Sequence, residues 1–132
     1  MTRISGAVNL DFSNITINID QLEGLLGKDL VQEWGELPAL APSTETTVAS
    51  YTPGAGETIR VKGVFAEGEN DAMVKLYVDS TVVWQARNAW TERNTPIMME
   101  AQAGEGETIE LSITNLKSQN SDFSGGFYGY KI

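Results

Sequence analysis

The sequence predicts an all-β fold: an antiparallel β-sandwich over residues 48–132, preceded by an N-terminal arm, residues 1–47, that contains a short helix. Three observations carry this expectation. Apolar and polar residues alternate with a period of two through most of the chain after Tyr51. Turn formers punctuate that alternation, at Pro53-Gly54, Asp79-Ser80 and Gly104 to Gly106. The sequence Gly-x-Gly-Glu-Thr-Ile also occurs twice, at Gly54–Ile59 and Gly104–Ile109, each time opening an alternating run. The chain has 132 residues, of which 41% are hydrophobic. That suits one domain with an arm and enough apolar mass for a core.

In the arm, Val8, Leu10 and Phe12 alternate with Asn and Asp, and Ile15, Ile17 and Ile19 alternate with Thr and Asn. Both runs read as strand, with a phase shift at Ser13-Asn14. Asp20 then resembles a helix N-cap with Glu23 as its capping-box partner. Leu22, Leu25, Leu26 and Leu30 follow at helical spacing, Trp34 extends the stripe, and Gly35 suits its end. Gly24 and Gly27 each weaken such a helix by roughly 1 kcal/mol against Ala, so it depends on packing. The stripe packs either on its own domain or on a neighbouring subunit. Residues 37–50, with Pro38, Pro42 and a Thr/Ser run, read as an extended connector.

In the main domain, Ile59 to Phe65 reads as a strand with Ile59, Val61 and Phe65 on one face and Arg60 and Lys62 on the other. An acidic turn, Ala66 to Asp71, leads to a strand with Val74, Leu76 and Val78 inward. Asp79-Ser80 closes a hairpin into Thr81 to Gln85, which ends near a core Trp84. Residues 86–96 read as a loop holding Trp90. Strands resume at Ile97 to Glu100, Thr108 to Thr114 and Phe127 to Ile132. The two Gly-rich turns read as hairpin tips feeding central strands. They are either pseudo-equivalent, with Arg60 and Lys62 facing Glu110 across adjacent strands, or alike only because Gly supplies positive φ at no steric cost.

Net charge is −9. Phosphate binding needs a basic footprint, so nucleic acid is not an expected partner, and neither is an anionic membrane surface. The chain has no Cys and no His. That excludes disulfides, thiolate metal sites and histidine general-base chemistry. No Lys-Ser/Thr follows the Gly-rich turns, so no phosphate loop is present. The start, Met1 to Gly6, lacks the apolar core of a signal peptide, and synthesis in a cytoplasm is the expectation. No enzyme signature stands out, and no cofactor is called for.

Two ligand chemistries have candidates. Glu67, Glu69 and Asp71 in the acidic turn carry oxygen ligands of the kind calcium takes, at a spacing unlike an EF-hand. Trp90, Arg93 and Asn94 combine a flat aromatic face with hydrogen-bond donors, which suits a sugar, although Trp and Arg equally mark protein interfaces.

The run Gly56 to Val64, then Asn70-Asp71, then Lys75-Leu76-Tyr77-Val78-Asp79 with its hairpin, resembles the jelly-roll sandwiches of tailed-phage virion proteins and of carbohydrate-binding modules. The resemblance covers residues 48–132. A short arm, a sandwich, no His or Cys and no secretion signal are similar to small phage decoration or tail accessory proteins. That resemblance implies a non-enzymatic virion protein, made in a host cytoplasm, which binds a capsid or tail lattice and forms a homo-oligomer. The Leu22–Trp34 stripe would be its docking surface. The alternative it implies is a glycan-binding module with a structural calcium.

Overall fold

A computed structural model of the chain describes residues 30–68, 71–87 and 97–132. These form strands β1 (Leu30–Leu40), β2 (Glu45–Tyr51), β3 (Ile59–Gly68), β4 (Ala72–Val78), β5 (Thr81–Arg87), β6 (Ile97–Ala103), β7 (Ile109–Asn115) and β8 (Ser121–Lys131). One four-stranded sheet has the order β1-β8-β3-β6 and the other β2-β7-β4-β5. Every neighbouring pair is antiparallel. The all-β, two-sheet expectation is met.

The core lies between the sheets. Ile59, Val61, Val64 and Phe127 from one sheet meet Val74, Leu76, Leu111 and Ile113 from the other, all essentially inaccessible to water. Burial of each such side chain contributes roughly 1.5–3 kcal/mol. Strands β4 and β5 form the expected hairpin. Asp79 and Ser80 take φ of +52° and +67°, the paired left-handed conformation of a type I′ turn whose twist matches the flanking strands. Trp84 is half-buried against the core, as its place in a strand suggested. The chain end is paired too: the Ile132 N–H donates to Thr58 O at 2.9 Å.

Several expectations change. Leu30, Trp34 and Gly35 are not the end of a helix but part of β1. A spacing of four residues is even, so it fits a period of two as well as a helical turn. Leu22, Leu25 and Leu26 lie outside the described residues. Residues 37–50, expected as an extended connector, supply the end of β1 and most of β2, each paired in a sheet. Pro38 is tolerated because β1 is an edge strand, where one ladder side needs no donor.

Phe65 faces away from the core. The register of β3 against β8 slips between Val61 and Gly63, a bulge that reverses the side-chain phase. Ile59 and Val61 point inward before it, and Val64 and Ala66 after it.

The two Gly-rich turns are not hairpin tips. The first carries the chain from β2 in one sheet to β3 in the other, and the second from β6 back to β7. They do feed central strands. Their local structures match. Gly54 N donates to Glu57 Oε1 (2.8 Å) and Glu57 N to Gly54 O (3.0 Å). Gly104 N donates to Glu107 Oε1 (2.7 Å) and Glu107 N to Gly104 O (3.0 Å). Gly56 and Gly106 sit at φ +74° and +79°, a region that costs an L side chain strain. The turns also touch: Gly106 N donates to Pro53 O (3.0 Å), and the Thr52 and Thr108 hydroxyls share a hydrogen bond of 2.8 Å. They are an equivalent pair that ties the two sheets together at one end. Glu110, which one of the two sequence readings set across from Arg60 and Lys62, lies on the other sheet. Glu100 in β6, beside β3, takes that place.

Candidate functional site: the outer face of the β1-β8-β3-β6 sheet

Strand alternation sends even-numbered residues of β1, β8 and β6 to the outer face of this sheet. The bulge sends Phe65 there as well. On one rung, Trp34 of β1, Gly126 of β8 and Phe65 of β3 lie side by side. Gly126 has no side chain, so the flanking rings meet above it, edge to face, with centroids 5.9 Å apart. A Cβ at that position would lie 2.9 Å from the Phe65 ring and would clash with Glu33 O. Tyr128 stacks on Phe65 with centroids 6.1 Å apart. It lies over Gly63, where a Cβ would fall 2.5 Å from its ring. Its hydroxyl donates to Met98 Sδ at 3.5 Å.

The result is a continuous row, Trp34–Phe65–Tyr128–Met98, across all four strands. Such ring pairs add about 0.5–1.5 kcal/mol each beyond their burial. Yet Trp34 is 51% exposed, Met98 66%, and Leu30, beside the row, 51%. Leu30, Gln32, Phe65 and Tyr128 line a shallow hollow of about 120 Å³.

The two ends of the face differ in charge. At one end, Lys62 Nζ donates to Glu100 Oε1 (2.9 Å), Arg60 Nε lies 3.6 Å from Glu100 Oε2, and Arg60 Nη2 donates to Gln102 Oε1 (3.3 Å). The Lys62 hydrogen bond lowers the Glu100 pKa, and the same bond raises that of Lys62. At the other end, Glu36, Glu67 and Asp122 line an open hollow of about 310 Å³. Asp122 Oδ1 accepts the Ala39 N–H at 2.8 Å. Glu36 and Glu67 have no ion-pair partner among the described residues.

Of the sequence-derived interface residues, Leu30 and Trp34 fall on this face. The acidic-turn residues separate. Glu67 faces the acidic hollow, whereas Asp71 Oδ1 accepts from Arg87 Nη2 (2.6 Å) and Nε (3.2 Å). Among the described residues no group of three or more acidic side chains is placed to hold a metal ion. Glu69, Trp90, Arg93 and Asn94 lie outside the described residues. Sequence reasoning missed Phe65 and Met98, and it singles out Tyr128 among the aromatic residues without placing it in the interface. The available signal was the alternation Gly126-Phe127-Tyr128-Gly129-Tyr130, which sets the tyrosines opposite the buried Phe127.

No protein-family model matches the chain, and no curated protein matches it.

Proposed function

We propose that the protein is a non-enzymatic structural or accessory subunit of a virion. In this reading it is a jelly roll that binds a capsid or tail lattice, made in the host cytoplasm and oligomeric in its working state. The orders β1-β8-β3-β6 and β2-β7-β4-β5 support the jelly-roll assignment, because an eight-stranded chain wound as two Greek keys has this interleaving. The observation that carries the functional reading is the exposed row on one sheet face. Soluble monomers rarely leave contiguous aromatic and apolar surface in water unless something docks there. Aromatic anchors surrounded by a polar rim are the anatomy of a binding patch. The N-terminal arm, with Leu22, Leu25 and Leu26, enters the sandwich at Leu30, beside that row, and contributes to docking.

Co-sedimentation with purified capsids and tails of the virus that encodes the chain tests this. The full chain should pellet at fixed stoichiometry with one of them, and removal of residues 1–29 should abolish pelleting. A full chain that stays in the supernatant with both contradicts the reading.

A second reading is glycan binding. It is favoured by the exposed Trp34 ring and by the Gln, Glu and Asp side chains beside the row. Glycan-array binding lost in Trp34→Ala but kept in Trp90→Ala would support this reading on the sheet face. The reverse would move the sugar site to Trp90, Arg93 and Asn94.

A further inference from the structure

We propose that the outer face of the β1-β8-β3-β6 sheet docks on the same face of a second copy of the chain, about a two-fold axis that lies across the strands. The inference rests on the reading of this face as a contact surface and names its partner.

Charge selects both partner and axis. Along the strands, the face runs from Arg60 and Lys62, which share Glu100, through the aromatic row to Glu36, Glu67 and Asp122. Two cations less one carboxylate leave +1 at one end, against three carboxylates at the other. A two-fold axis parallel to the strands would set acidic end on acidic end. An axis across the strands reverses one copy. It sets Glu67 of one copy against Lys62 of the other, twice per dimer, and lays each aromatic row on its counterpart. This self-complementarity is what an isologous interface requires. Opposed charges at its rim fix register and orientation.

Area agrees. Four strands at about 4.8 Å spacing, up to 11 residues long at about 3.3 Å each, make a face of roughly 600 Å². That approaches the roughly 800 Å² per partner of a stable interface. Pairing copies through this face puts two N-terminal arms on one body. Two arms on one body bind more tightly than one by raising effective concentration.

Sedimentation equilibrium of the full chain across a concentration series, without any lattice, tests the pairing. The wild-type chain should dimerise reversibly. Glu67→Lys alone and Lys62→Glu alone should each weaken the dimer about tenfold or more. An equimolar mixture of these two variants should restore it, because the heterodimer carries opposite charges at both contacts. Rescue on mixing cannot come from misfolding, so the result stands even if either variant is less stable. Trp34→Ser, at an exposed side chain, should also give monomer. A wild-type chain that stays monomeric, a dimer indifferent to all three substitutions, or a mixture no better than its components overturns the pairing. Lattice binding by a monomer would overturn it together with the oligomeric part of the proposed function, while leaving lattice binding itself intact.

Discussion

On the outer face of the β2-β7-β4-β5 sheet, Glu45 Oε2 accepts hydrogen bonds from Tyr77 Oη and Ser112 Oγ, both at 2.6 Å. On the outer face of the other sheet, Tyr128 Oη reaches only a thioether, and Trp34 and Phe65 offer bare rings. Both faces belong to four-stranded antiparallel sheets over one core. The first is closed by its own polar groups: Thr47, Ser112 and Glu110 line its hollow, and its exposed apolar side chains, Val82 and Val83, sit on the edge strand β5. The second leaves its apolar centre open and its charges sorted by end. The difference lies in side chains alone, since the backbone plan is shared. The proposed contact surface rests on this difference.

The largest expected effect falls on both faces at once. Phe127→Ala removes a fully buried ring of the central strand β8 and should cost about 3–5 kcal/mol in urea unfolding. If only assembly changed, the two faces would not share a core. Asn115→Ala comes next. Its Nδ2 donates to Leu40 O (2.8 Å) and Gln119 O (2.9 Å), and its Oδ1 accepts from Lys117 N (2.9 Å). Leaving those groups without partners should cost about 2–3 kcal/mol by the same measurement.

Glu45→Gln sharpens the contrast through pH. The Ser112 and Tyr77 hydrogen bonds hold the Glu45 carboxyl below its ordinary value in the folded state. The unfolded chain therefore takes up the proton first. The stabilisation is complete above the ordinary carboxylate value and is lost as pH falls from there through the lowered folded value. Urea midpoints across that acid range should flatten in Glu45→Gln, while the effect at neutral pH stays below about 1 kcal/mol because the site is screened by solvent. Assembly should be unchanged. A similarly small change in stability, about 0.5–1 kcal/mol, is expected for Trp34→Ser, because its half-exposed ring loses little beyond the edge contact with Phe65. Its effect should appear in association instead.

The sandwich was legible because period-two alternation and Gly, Pro and Asp-Ser turns act locally, and β4, β5 and β7 follow them closely. The candidate site was legible only at its edge. Leu30 and Trp34 stood out as an apolar pair, but their even spacing fits helix and strand alike. Phe65 reads on the face of Ile59 and Val61 because a bulge at Lys62 leaves no mark in the sequence: nothing in Arg-Val-Lys-Gly-Val announces the slipped register. Gly126 gains its meaning only when Trp34 and Phe65, far apart in the chain, come to flank it. Long-range register, which composition does not encode, built the face.

Hydroxyl-radical footprinting of the full chain, dilute and then assembled, tests the contrast between the faces most directly. Trp34, Phe65, Met98 and Tyr128 should lose reactivity on assembly, while Met73 and Tyr77 on the opposite sheet keep theirs. Protection of Met73 and Tyr77 with Trp34 and Met98 still reactive would contradict the assignment of the β1-β8-β3-β6 face as the contact surface.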